Sequence, residues 1–216
     1  MNNCRLNEEE QRAWVELLDF AADLYLNEPN PECLVGCRAA GRLLDGIFPE
    51  ESFPEMFAAA ETGPAAEILQ EYFDLFFVPV SGRYLAPFEA AHREKYLAPE
   101  LPVLIGRLYA ETGFAPARLD IPSYMQSLNR PDHIGFEMAF LARLLDSSLI
   151  LAADGDLPQA RILLETAISF HSRYPGRWAV PFGRRLEETA GSHLYRGLGS
   201  LTQFINREFA ATYLQT

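Results

Sequence analysis

The chain has 216 residues, 49% hydrophobic and 22% charged, which excludes a disordered or fibrous chain and leaves enough apolar material for a sizeable core. The formal net charge is −12, and the surplus is confined to the first third: 16 acidic against 4 basic residues up to Asp74, then 14 against 14. A phosphate backbone needs a basic footprint, so the charge argues against nucleic acid and for a basic peptide as partner.

Helical periodicity dominates, and strand-like alternation is hard to find. Asn7 and Glu10 have the spacing of a capping box, behind which Trp14, Leu17, Leu18, Ala21, Leu24 and Tyr25 share a face. The Asn27–Pro31 stretch ends that helix. Pro31 opens a second, which fades at Gly46. Residues 48–63 read as loop with a short helical turn. A third helix from Pro64 carries Ile68, Leu69, Tyr72, Phe73, Leu75 and Phe76.

From Val78 to Ala98 no period is sustained, and a structureless stretch of that length is typically functional. Helix returns from Pro99 to Gly113. A further irregular stretch, with Pro116 and Pro122, leads to a long helix behind Asp132, the expected cap. Asp156 and Pro158 open the next helix. Trp178–Leu186 gives a shorter one, and Ser192 begins the last. With no internal repeat, the pattern predicts an all-α protein: a single compact helical bundle over residues 1–216.

No apolar run approaches the roughly 20 residues needed to span a bilayer, and the start of the chain lacks a signal peptide's basic-then-apolar pattern, so a cytoplasmic location is expected. The three cysteines, Cys4, Cys33 and Cys37, fit a reduced compartment better than a disulfide framework. Walker-type loops, dinucleotide turns and Gly-x-Ser-x-Gly elbows are absent. Cys33 with Cys37, and His133 with Glu137, have a spacing that puts both members on one helix face. His133 and Glu137 thus suggest an alternative, a helical metal-dependent enzyme, although no third ligand lies nearby. His92, His171 and His193 read as packed or surface imidazoles. Arg184-Arg185 reads as a solvated helix face. Phe77 and Tyr84 are candidates for lining a groove.

Several separated segments, in order, resemble the TorD/DmsD/NarJ family of chaperones dedicated to molybdenum-containing oxidoreductases. Glu71-Tyr72-Phe73-Asp74-Leu75-Phe76 is similar to that family's Glu-Tyr-x-x-Leu-Phe, and Pro87-Phe88-Glu89 to its Pro-Trp-Glu-Ser. Pro131-Asp132-His133-Ile134-Gly135-Phe136-Glu137-Met138 follows its Asp-His-Ile-Gly-x-Glu-Leu most closely. The segments around Phe170-His171, Trp178–Phe182 and His193–Thr202 resemble its C-terminal pattern. The chain departs from the family at Phe88, where tryptophan is usual, and at Ala90, Ala91 and His92.

The resemblance implies an all-helical bundle of the TorD-like type without enzymatic turnover or a cofactor of its own. It implies a partner: the catalytic subunit of a molybdenum-containing oxidoreductase, held through its N-terminal leader, often a twin-arginine signal peptide, until the cofactor is inserted. A monomer or a domain-swapped dimer is compatible with it. The leader-binding residues carried over are Asp132 and His133, with Tyr72, Pro87, Phe88, Glu89 and Pro131. On chemical grounds Asp132 and Glu89 are candidates to pair with leader arginines, Phe88, Tyr84 and Phe77 to line a groove, and Asp19, Asp23 and Glu28 to attract the leader from a distance.

Overall fold

The computed structural model describes residues 8–60, 65–94 and 99–214. Among them it is all-α: ten α-helices, four short 3₁₀ turns and no strand. The helices are α1 (Glu8–Leu26), α2 (Pro31–Asp45), α3 (Ser52–Ala58), α4 (Ala65–Phe76), α5 (Leu101–Thr112), α6 (Ser123–Gln126), α7 (Ile134–Ala153), α8 (Leu157–Arg173), α9 (Ala179–Thr189) and α10 (His193–Leu214). The short helical turn expected within 48–63 is α3. The stretch 78–94 holds only 3₁₀ turns, as its lack of period implied. Asn7 and Pro64, expected at helix starts, lie outside the described residues.

Local chemistry sets the boundaries. The Asn30 side chain accepts the Cys33 N–H at 2.8 Å with Pro31 in the first turn of α2, and Asp156 does the same for Gln159 at 3.2 Å ahead of α8. Gly113 ends α5 at a φ of +74°, a left-handed conformation that costs glycine nothing.

The chain forms two compact units, each built from segments distant in sequence. The first takes Met1–Leu26, Phe88–Trp178 and Ile205–Thr216; the second takes Asn27–Pro87 and Ala179–Phe204. In the first, α7 is the central element, packed against α1 and α8. It is buried on most sides, including Phe136, Met138, Phe140, Leu141, Leu144 and Leu145, so its hydrophobic face is unusually wide. Gly135 lets α1 approach the start of α7, since a Cβ there would stand 2.6 Å from Leu26 Cγ. The Gln11 side chain, also on α1, donates to the Leu145 carbonyl at 2.9 Å. In the second unit Tyr72 and Phe76 of α4 meet Tyr195 of α10, and Gly183 and Gly199 let α9 and α10 touch backbone to backbone.

Candidate functional site

The Asp-His motif lies in the loop that enters α7, and the first unit lays the Phe88–Arg93 segment against it. The Glu89 N–H donates to the Asp132 carbonyl at 2.8 Å, and Phe88 and His133 form an isolated antiparallel bridge. Asp132 has no exposed surface. Its carboxylate takes a two-pronged grip from Arg130, Nε at 2.8 Å and Nη2 at 2.9 Å, and also accepts the Ala90 N–H at 3.1 Å. A buried carboxylate needs such partners, and the guanidinium fork matches it. The Arg130 guanidinium also lies over the Phe88 ring, 4.0 Å from its centroid.

Asp132 is not the helix cap that the sequence suggested. Its carboxylate faces Arg130 and Ala90. The cap is the next residue, His133, whose Nδ1 accepts the Gly135 N–H at 3.1 Å. Burial holds His133 neutral, with its pKa lowered from 6.5 to about 3. Phe88 meets the His133 ring edge-on at 5.5 Å, and the Tyr109 hydroxyl donates to the Pro131 carbonyl at 2.9 Å.

Glu89 and Glu137, both fully buried, complete the cluster. Glu89 pairs with Arg93, whose guanidinium also donates to the Arg173 carbonyl at 3.2 Å. Glu137 accepts the Trp178 indole N–H at 3.2 Å, and His92 stacks on the Trp178 ring at 4.9 Å. The metal reading finds no support in this geometry. His133 uses Nδ1 for its cap, and the described residues contain no group of three potential ligands.

Beside this loop lies an open groove of about 310 Å³. Tyr109, Phe114 and Phe136 give it an apolar floor, and Gln126, Asn129 and Arg130 line it on the polar side. Phe88 is not among its lining residues. Asn129 holds a left-handed φ of 46°, the one non-glycine residue that does so among those described.

The first unit therefore gathers Phe88, Glu89, Pro131, Asp132 and His133. Tyr72 and Pro87 belong to the second unit. Tyr72 is fully buried there, among Phe73, Phe76, Phe77 and Tyr195. Three residues carry structural roles that the sequence reading did not give them. Arg130 and Arg93 hold the two buried acids, and their only signal was arginine two before Asp132 and four after Glu89. Glu71, part of the first quoted motif, holds the turn before α10: its carboxylate accepts the Gly191 and Ser192 N–H groups at 2.6 and 3.0 Å and pairs with Arg83. No local pattern could have revealed a partner 120 residues away.

The sequence matches the nitrate reductase delta subunit family over residues 45–184, a span that includes the Glu71–Phe76, Pro87–Glu89 and Pro131–Met138 motifs. The chain belongs to that family. Neither the curated proteins nor the solved structures contain a significant match to it. The delta subunit family is one of system-specific chaperones for the maturation of molybdenum-containing oxidoreductases, and is not a catalytic family. Among the described residues no helix is long and apolar enough to cross a membrane.

Proposed function

We propose that this delta-family chain is a cytoplasmic chaperone that binds the N-terminal leader of a molybdenum-containing oxidoreductase catalytic subunit and holds back assembly until the cofactor is in place. The observation that carries the reading is the apolar groove beside the Asp-His loop, in a chain of this family. A leader offers arginines followed by an apolar, helix-forming stretch, and an apolar groove with polar edges suits the second part. For the arginines, exposed Glu111 and Asp120 stand on the segments that border the groove. Asp132 and Glu89 are already held by Arg130 and Arg93, so in this reading Asp132 orients Arg130, which lines the groove, and Glu89 supports the motif loop.

The test begins with a tagged pull-down from cells grown under anaerobic respiratory conditions. Recovery of a molybdenum-enzyme catalytic subunit, lost when its leader is deleted, is the expected outcome. Ala110, exposed and lining the groove, then separates binding from folding. Ala110→Arg is expected to weaken the affinity for that leader at least tenfold without moving the thermal midpoint. Unchanged affinity would remove the groove from the reading. Association should also slow as salt rises, because screening at physiological ionic strength acts over about 8 Å.

A further inference from the structure

Glu89 and Glu137 stand face to face with no exposed surface, and their carboxyl groups are within hydrogen-bonding reach of each other. Glu89 Oε1 is taken by Arg93, and Glu137 Oε2 by the Trp178 indole N–H. The remaining oxygens, Glu89 Oε2 and Glu137 Oε1, have no donor from any other group among the described residues. Two carboxylate oxygens cannot bond to each other, and leaving both buried and bare would cost each its hydration. A single proton resolves all four positions. Placed on Glu137 Oε1, it donates to Glu89 Oε2, and every oxygen of the pair then has one partner. Placed on Glu89 instead, it would set a neutral acid against the Arg93 cation and leave the anion facing only an indole, so Glu137 is the acid.

We propose that Glu137 is a neutral carboxylic acid whose Oε1–H donates to Glu89 Oε2, and that this one shared proton fastens the Phe88–Arg93 segment to α7 and loosens it when lost. The charged and titratable groups around the pair fit that assignment. They are Arg93 on the same segment, Asp132 from the loop before α7 with its charge met by Arg130, Tyr109 from α5, Tyr174 after α8 and the neutral His133. Among the described residues Arg93 is the one cation that pairs directly with either member. Burial pushes Glu89 up to about 7 and Glu137 well above the ordinary glutamate value. The arrangement is a carboxyl–carboxylate pair, in which like charges at contact distance cannot both ionise. It concerns how the motif loop is held and stands whether or not a leader binds in the groove.

The first measurement uses the wild-type chain alone. Infrared spectra near neutral pH should show a protonated carboxyl carbonyl, shifted in deuterium oxide and absent from Glu137→Gln. Exposed carboxylates are ionised there and contribute nothing to that band. Glu137→Gln is also informative in folding. Its Nε2–H donates to Glu89 and its Oε1 accepts the indole, so the bonds persist without a titrating proton. The folded state keeps a proton that the unfolded chain releases near 4.5, the ordinary glutamate value, so this proton's contribution to stability is fully present below 4.5 and is lost as pH rises. Each such proton raises the unfolding constant about tenfold per pH unit, and Glu137→Gln should lose that one-proton share. With Trp14→Phe leaving Trp178 as the sole tryptophan, its emission should titrate above neutral pH and cease to do so once Glu137→Gln is added. Absence of the acid band in wild type, or an identical pH response in Glu137→Gln, overturns the proposal. If the glutamine variant does not fold, the wild-type spectrum decides alone.

Discussion

At the scale of single residues, the motif loop depends on arginines that hold buried acids. Arg130 keeps about a third of its side chain exposed, whereas Asp132 has none. Removing the arginine and removing the acid are therefore unequal changes. Arg130→Ala abandons an ionised carboxylate in a place without water, and the expected cost is about 3 kcal/mol, read from urea unfolding. Asp132→Asn in that background removes the stranded charge while its amide oxygen still accepts the Ala90 N–H, so stability should partly return. A double variant no better than Arg130→Ala would mean the carboxylate finds water once the arginine is gone. Much of this site was legible in the sequence: Phe88, Glu89, Pro131, Asp132 and His133, named from motif resemblance, do converge. What the motif could not convey was direction. Asp and His both cap helices readily, and only the fold shows His133 at the N-terminus of α7 with Asp132 turned toward Arg130.

At the scale of helices, two glycines five residues apart on α2 make opposite demands. At Gly36 a Cβ would meet nothing within 4 Å; at Gly41 it would lie 2.3 Å from the Ala58 nitrogen and 2.7 Å from the Pro54 carbonyl oxygen. Backbone cannot swing aside as a side chain can. Gly36→Ala should stabilise the protein by about 0.5–1 kcal/mol, by removing the entropy cost of a mid-helix glycine. Gly41→Ala should cost about 3 kcal/mol, because α3 must move away. Thermal midpoints of the two variants on either side of wild type check both. Equal shifts would mean that α3 does not press on α2 as described. Both glycines sit inside one amphipathic helix, and periodicity places that helix correctly while being blind to which glycine admits a neighbour. The same holds for α3, too short for a period of its own and fixed by Phe53 and Phe57, both fully buried. Helices of three turns or more were readable from caps, prolines and apolar spacing. Discontinuity was not: that α10 contributes one stretch to the second unit and another to the first is a matter of tertiary contacts, which no local window records.

For the molecule as a whole, the buried titratable groups impose opposed pH demands. His133 and His171 are buried and neutral, with pKa values lowered by burial from 6.5 to about 3 and about 4, and His171 bonds Asn206 at 3.2 Å. An unfolded chain protonates both histidines below 6.5 while the folded chain resists, so stability present above 6.5 is lost as pH falls toward about 4 and then about 3. The proton shared by Glu89 and Glu137 acts the other way: burial makes the folded pair hold it above the ordinary glutamate range, so its stability is present below 4.5 and is lost as pH rises through that raised range. Between about 4.5 and 6.5 the two trends oppose each other, and below 4.5 the histidines act without that counterweight. Stability should therefore be greatest near the upper end of this range and fall on both sides, most steeply under acid. His133→Asn isolates the acid side, because asparagine is a good helix cap and can accept the Gly135 N–H without titrating. Urea midpoints from pH 3 to pH 8 should show the variant folding like wild type near neutrality, with an acid limb shallower by one proton, about tenfold less change in the unfolding constant per pH unit. An acid limb of unchanged slope would mean that His133 takes up its proton while folded, and the buried neutral cap at the head of α7 would have to be given up.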